Sequence, residues 1–297
     1  MGSFIIEGGK QLKGEINPQG AKNEALQVLC AVLLTPEKVT INNIPDIIDV
    51  NKLIQLLRNF GVKVDHISTG SYSFQSDAIN LDYLTSDQYK VDGKGLRGSI
   101  MLVGPLLARF GKGSIPRPGG DKIGRRRLDT HFEGLISLGA RFNYSREEHF
   151  YSVEAERLLG TSILLDEASV TGTANIVMAA VLAKGVTTIY NAACEPYLQQ
   201  LCSMLNRMGA KISGIGSNLL TIEGVLDLKG TEHRVLPDMV EIGSWIGLAA
   251  LTRSELTIKN VQWEYLGQIP TVFRKLGLTL EKQGDDIHIP AHTKGYE

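Results

Sequence analysis

The sequence predicts an α/β protein assembled from tandem copies of a unit of about 70 residues. Two recurrences predict it. A helix-ending segment returns four times: Phe60-Gly61-Val62-Lys63-Val64, Leu138-Gly139-Ala140-Arg141-Phe142, Met208-Gly209-Ala210-Lys211-Ile212 and Leu276-Gly277-Leu278-Thr279-Leu280. A β-branched run keeps the same phase over residues 39–43, 186–191 and 256–260, closing each time on an asparagine: Asn43, Asn191 and Asn260.

Each element follows from the residues. Amphipathic stretches such as 50–59 and 198–207 precede the recurring glycines, which fit helix C-caps that release the chain into a strand. Apolar helical stretches at 24–34, 98–109, 173–183 and 240–251 precede the β-branched runs or their equivalent. One copy therefore reads strand, helix, strand, helix, strand, with a further strand in the connection. Alternation of this kind commonly gives a doubly wound parallel sheet. The strict period argues instead for copies around an axis, with helices packed together and sheets outside. In the second copy Gly113-Ser114-Ile115-Pro116-Arg117-Pro118 replaces the β-branched run, and a departure inside a repeat marks a place for function. Four copies do not make two equal groups of three, so the fourth stands apart or the chain stops before its partners.

Composition sets the class. The chain has 297 residues and a net charge of -1, with 21% charged and 43% hydrophobic residues. That suits about two globular domains and excludes both a disordered chain and a nucleic-acid binder driven by bulk charge. Cys30, Cys194 and Cys202 show no metal-like or disulfide spacing, which indicates a reducing compartment. Cys194 and Cys202 are expected to be packed thiols. Residues 1–7 run into strand-like sequence without the pattern of a targeting segment, and the uncharged stretch 168–183 is shorter than the ~20 residues of a membrane span. A soluble, cytoplasmic protein is expected, with no cofactor and no metal. His288 and His292 are separated by Pro290, which rules out a helical metal pair.

Three motifs carry chemistry. Gly20-Ala21-Lys22-Asn23 opens the first helix, where a lysine beside free N–H groups makes an anion site; the plain alternative is a solvated lysine with Asn23 as cap. Gly93-Lys94-Gly95-Leu96-Arg97-Gly98 matches a dinucleotide glycine pattern, but glycine punctuation before a helix explains it better. Residues 117–131 combine glycines, a proline, Lys122, Arg125, Arg126 and Arg127 around Asp121. No aromatics interleave these cations, so a small multiply charged anion suits them better than RNA. Asp121 is then a structural counter-ion or a general acid.

The combination of Gly20-Ala21-Lys22-Asn23, Leu96-Arg97-Gly98-Ser99, residues 118–126, Ser169-Val170-Thr171, residues 191–196 and Arg234-Val235-Leu236-Pro237-Asp238 resembles the UDP-N-acetylglucosamine 1-carboxyvinyltransferase family over the whole chain. The related shikimate-pathway transferases share the fold but match the loop and the Asn-Ala-Ala-x-Glu-Pro segment less well. The resemblance implies an inside-out α/β barrel of two domains, each of three copies, with the active site between them. It implies transfer of the enolpyruvyl group of phosphoenolpyruvate to the sugar 3-hydroxyl, with phosphate release, in peptidoglycan precursor synthesis. Lys22, Arg97 and Arg126 match the phosphoenolpyruvate ligands, with Lys22 and Arg126 also catalytic, and Asn23 lies beside the sugar. Residues 126–130 (Arg126, Arg127, Leu128, Asp129, Thr130) and the turn Ser169-Val170-Thr171 match uridine-diphosphate contacts. Asp49, His131, Glu195 and Asp238 match other positions lining the cleft.

Two departures qualify the resemblance. The loop acid, a cysteine in most of the family, is Asp121 here, which implies an aspartate proton donor and resistance to fosfomycin, because a carboxylate forms no stable thioether. The family runs to about six copies and this chain to four. One complete three-repeat domain is therefore expected over residues 22–234, with an incomplete second domain from 1–21 and 235–297. The absent part would include a catalytic aspartate and a late arginine, so weak binding and little turnover are expected of this chain alone. Association between chains through the incomplete domain would cover its apolar helices. A catalytically inactive UDP-sugar-binding remnant is the competing reading.

Overall fold

The computed structural model describes residues 3–116, 127–147 and 150–291. After β1 (Lys13–Ile16), the first copy comprises α1 (Lys22–Ala31), β2 (Val39–Asn42), α2 (Ile48–Asn59), β3 (Lys63–Ser68) and β4 (Ser71–Gln75). Helix α3 (Asp87–Lys94) leads into the second: a 3-10 turn (Arg97–Leu102), α4 (Val103–Phe110), β5 (Lys112–Pro116), α5 (Asp129–Ser137), β6 (Arg141–Ser145) and β7 (Phe150–Glu154). The third holds β8 (Ser162–Leu164), α6 (Val170–Ala180), β9 (Val186–Tyr190), α7 (Pro196–Arg207), β10 (Lys211–Ser213) and β11 (Leu219–Glu223). After β12 (Thr231–Arg234) the fourth follows with α8 (Met239–Thr252), β13 (Glu255–Ile258), α9 (Ile269–Lys275), β14 (Glu281–Gln283) and β15 (Asp286–Ile289).

The recurring glycines end four helices in one way. Gly61, Gly139, Gly209 and Gly277 have φ of 91°, 102°, 107° and 87°, a left-handed conformation that an L side chain resists. Each glycine N–H bonds the carbonyl three residues back (Arg58, Ile136, Asn206, Arg274), and the next N–H bonds the carbonyl five back (Leu57, Leu135, Leu205, Phe273). This is the Schellman arrangement, which satisfies two terminal carbonyls and turns the chain into the following strand.

The asparagines have an equally local cause. Asn43, Asn191 and Asn260 also sit at positive φ, 59°, 57° and 53°. Each side chain reaches the residue that follows the neighbouring parallel strand: Asn43 Nδ2 donates to the Val235 carbonyl (2.9 Å), Asn191 to Leu165 (3.0 Å) and Asn260 to Asn17 Oδ1 (3.3 Å). Those strands are β12 beside β2, β8 beside β9, and β1 beside β13. The second copy lacks both partners. Among the described residues no parallel strand flanks β5; α3 packs there, its buried Tyr89 donating to the Ser114 carbonyl at 3.0 Å. With no strand to lock, the run can end on Pro116 instead of asparagine.

The chain divides into two compact units, Lys22–Val235 and a second formed by residues 1–21 and 236–297. In the larger unit the three sheets, ordered β12-β2-β4-β3, β5-β7-β6 and β10-β11-β9-β8, share no ladder among the described residues. Helices join them. α1 packs on α6 and α7, and α6 on α4 and α5. Residues 24–31 of α1 and 172–180 of α6 are buried on every side, whereas β9 and β11 alternate between buried and outward residues. A helix apolar all round belongs inside, and sheets with one wet face belong outside. Truncating Leu29 in that centre to alanine removes about 2–5 kcal/mol. The last strand, β12, pairs in parallel with β2, from Thr231 against Val39 to Arg234 against Asn42, and so ties the end of the unit to its beginning.

The smaller unit has one sheet, β1-β13-β15-β14, over a core of Ile242, Ile246, Ile258, Leu278, Leu280, Ile287 and Ile289. One face of α8 enters that core, while Val240 and Leu251 are exposed.

Two expectations need correction. Residues 3–7 form no strand: Phe4, Ile5 and Ile6 are exposed, and the first ladder begins at Lys13 where β13 supplies a partner. Cys194 is exposed, unlike the buried Cys30 and Cys202, because it lies in the short turn between β9 and α7.

Candidate functional site

Several helix N-termini of the Lys22–Val235 unit converge on a cavity of about 770 Å³. Lys22, Asn23, Leu26 and Gln27 come from the first turns of α1, and Asp49 and Lys52 from α2. Gly95, Arg97, Gly98, Ile100 and Met101 come from the turn into α4. Arg127, Leu128 and His131 enter with α5, Glu167, Ser169, Val170 and Thr171 with α6, and Tyr197 with α7. Because first-turn amides lack intrahelical acceptors, such convergence favours an anion even before side chains are counted. Among the described lining residues, Lys22, Lys52, Arg97 and Arg127 outnumber Asp49 and Glu167.

Local contacts orient these groups. Lys22 Nζ lies 2.5 Å from Asp49 Oδ2, both half-exposed. Lys52 Nζ donates to the Gly95 carbonyl at 3.3 Å. Arg127 pairs with Asp129 at the start of α5. Ser169 caps α6, its Oγ accepting the Gly172 N–H at 3.2 Å. His131 is buried; burial, helped by the Arg97 charge, pushes its pKa down to about 4, so the ring is neutral. Its Nε2 lies 3.1 Å from Thr171 Oγ1 and its Nδ1 3.1 Å from Asn175 Nδ2. The amide of Gln27 is buried with neither atom hydrogen-bonded among the described residues.

The structure brings together Lys22, Asn23, Asp49, Arg97, Arg127, Leu128, His131, Ser169, Val170 and Thr171. Four expected residues are not on this lining. Asp129 turns to Arg127, and Thr130 is buried with its methyl against Gly172. Glu195 precedes α7 with one buried carboxylate oxygen lacking a partner among the described residues. Asp238 belongs to the smaller unit, where it caps α8 by accepting the Val240 and Glu241 N–H groups. Asp121 and Arg126 lie outside the described residues. The glycine pattern at residues 93–98 begins in the last turn of helix α3 and follows no strand, which removes the dinucleotide alternative.

Lys52, Gln27, Glu167 and Tyr197 were not expected. Helical spacing carried a signal for two of them: Lys52 follows Asp49 by three residues, and Gln27 follows Asn23 by four, each pair on one helix face. Glu167 and Tyr197 arrive only through tertiary packing. Among the described residues, no helix is long and apolar enough to cross a membrane.

Comparison with known proteins identifies the family. The family model for EPSP synthase (3-phosphoshikimate 1-carboxyvinyltransferase) matches residues 6–296. UDP-N-acetylglucosamine 1-carboxyvinyltransferase of Bacteroides fragilis is 68% identical over 291 residues, covering 98% of this chain and 67% of that protein. The proteins of the same name from Porphyromonas gingivalis and Treponema denticola are 62% and 46% identical, covering 98% and 99% of this chain and 67% of each. The chain thus spans about two thirds of the length of these relatives. Among solved structures, the enolpyruvyl transferase NikO from Streptomyces tendae superposes with a TM-score of 0.82 at 17% identity, covering 98% of this chain and 68% of that one. EPSP synthase from Acinetobacter baumannii gives 0.74 at 19%, covering 97% and 66%. At such identities these two establish the fold alone.

Proposed function

The chain belongs to the EPSP synthase family of enolpyruvyl transferases, and from that premise we propose that it serves the transfer of the enolpyruvyl group of phosphoenolpyruvate to the 3-hydroxyl of UDP-N-acetylglucosamine. One observation carries the reading: Lys22 and Arg97 share a single cavity with Arg127, His131 and the N-terminus of α6. That cavity, at about 770 Å³, has the volume of a small-molecule site. Its relatives at 62–68% identity carry the name of the UDP-sugar enzyme.

The chemistry follows from charge. The sugar hydroxyl oxygen adds to C2 of phosphoenolpyruvate while C3 takes a proton; loss of a C3 proton and of phosphate then regenerates the double bond. Negative charge is concentrated on phosphate and carboxylate throughout, so fixed cations such as Lys22 and Arg97 lower the barrier most if they are in place beforehand. Arg127, Leu128 and the N-terminus of α6 (Ser169, Val170 and Thr171) hold the diphosphate. The family resemblance assigns Asp121 the delivery of the proton to C3 and Arg126 a part in holding phosphoenolpyruvate.

Calorimetric titration of the 297-residue chain with UDP-N-acetylglucosamine tests the reading, together with phosphate release in the presence of phosphoenolpyruvate. Saturable binding of the nucleotide sugar, with none of shikimate 3-phosphate, is expected. The reverse preference would move the chain to the shikimate branch. Nucleotide-sugar binding without phosphate release, even after complementation with the C-terminal third of a relative, would make it a binding remnant.

A further inference from the structure

Asn175 lies one turn beyond Thr171 on α6, buried, and all its polar atoms are engaged. Its Oδ1 accepts the Gly104 backbone N–H at 2.7 Å. A backbone amide can only donate, so the orientation of the side-chain amide is fixed without a choice of assignment. The Nδ2 group then faces the Ile100 carbonyl and His131 Nδ1, each at 3.1 Å. An NH₂ group has no lone pair to offer, so His131 Nδ1 must be the acceptor. That excludes the imidazolium ion as well as the Nδ1–H tautomer. The ring proton therefore sits on Nε2 and is donated to Thr171 Oγ1 at 3.1 Å.

We infer that Asn175 acts through His131 to make the Thr171 hydroxyl a dedicated donor, aimed at an anionic oxygen of the ligand. The Thr171 oxygen is occupied as an acceptor, and among the described residues its proton meets no acceptor of its own. It stands on the cavity wall at the second residue of α6, beside helix amides that also seek an anion. Were the tautomer reversed, Thr171 would donate to His131 and present lone pairs to the ligand, which would repel a diphosphate. Gly104 completes the device: a Cβ there would lie 2.3 Å from the Asn175 carbonyl oxygen, so only glycine brings its amide to the Asn175 side chain. Asn175 and Gly104 are positioning residues. The ligand group is the diphosphate of the nucleotide sugar, so this inference rests on the function proposed above.

The test starts with the unliganded chain. In the full 297-residue protein labelled with ¹⁵N-histidine, His131 is expected to show a bare Nδ1 and a protonated Nε2 at neutral pH. In Asn175→Asp the new carboxylate accepts from Nδ1–H and the assignment reverses. Titration with UDP-N-acetylglucosamine is expected to show about tenfold weaker binding for Thr171→Val and for Asn175→Asp, with Thr171→Ser close to wild type. The double variant is expected to bind no worse than Thr171→Val alone. A protonated Nδ1 in the wild type overturns the inference, as does full additivity of the two substitutions, which would mean that Asn175→Asp acts only through its charge. Should Asn175→Asp not fold, the wild-type spectrum and the Thr171 valine–serine contrast decide alone. If the wild type shows the expected tautomer but binds no UDP-N-acetylglucosamine, the nucleotide-sugar reading fails instead, and inorganic pyrophosphate becomes the probe for Thr171.

Discussion

The Lys22 ammonium stands 2.5 Å from the Asp49 carboxylate, joining the first turn of α1 to the first turn of α2. Their side chains are 44% and 38% exposed, so the pair is worth at most about 1 kcal/mol to the fold. Its value is to hold a cation at the cavity wall. Lys22→Met is therefore expected to leave the thermal midpoint nearly unchanged and to weaken phosphoenolpyruvate binding ten- to a hundredfold, the loss of a charge-assisted bond worth about 1.5–3 kcal/mol. Calorimetry and thermal unfolding on the same sample check both halves. A fall in stability with unchanged binding would assign Lys22 to the fold.

His131 makes stability depend on pH in a definite direction. Its pKa is about 4 in the fold against 6.5 when solvated. Between those values the unfolded chain takes up a proton that the folded chain refuses, so acidification favours unfolding. The contribution is whole above pH 6.5, shrinks as pH falls toward 4 and changes no further below. Its size is on the order of 3 kcal/mol at about 1.4 kcal/mol per unit. Urea unfolding at a series of pH values is expected to give a shallower slope between pH 4 and 6.5 for His131→Gln than for wild type. Equal slopes would show that the ring is charged when folded.

The four Schellman glycines were legible because their cause is local, and they can be graded. Alanine in the left-handed conformation costs about 1–2 kcal/mol wherever it is placed. At Gly209 a Cβ meets nothing within 4 Å, whereas at Gly61 it would lie 2.6 Å from the Ala78 carbonyl oxygen. Gly61→Ala is thus expected to destabilise distinctly more than Gly209→Ala, measured as unfolding free energy in urea. The asparagine phase was legible for the same reason, although its purpose, locking a parallel strand, needed the pairing of β12, β8 and β1. In the site, Lys22, Asn23 and Arg97 stood out as motifs at helix starts. Glu167, Tyr197 and Asn175 did not, since an acid, an aromatic and an amide gain meaning only from neighbours on other elements, as Asn175 does from His131, 44 positions away.

Nothing local marks Glu24 and His233 either, 209 positions apart and 2.8 Å from each other in the closed unit. Glu24 Oε1 faces His233 Nε2, and His233 Nδ1 faces an Arg207 guanidinium nitrogen at 2.6 Å. A guanidinium only donates, so Nδ1 accepts and Nε2 donates to the carboxylate. The chain of three links α1, the closing strand β12 and the end of α7. Both Glu24 and His233 are buried, and breaking a buried pair by removing one member costs about 3–5 kcal/mol. His233→Ala is therefore expected to destabilise by that order. Combining it with Glu24→Leu should recover part of the loss, because the buried carboxylate is removed together with its histidine partner. Hydrogen exchange of the β12 amides locates the effect: they should exchange faster in His233→Ala and approach wild-type protection in the double variant. If the double variant is as unstable as the two single losses added together, the pair does not act as a unit.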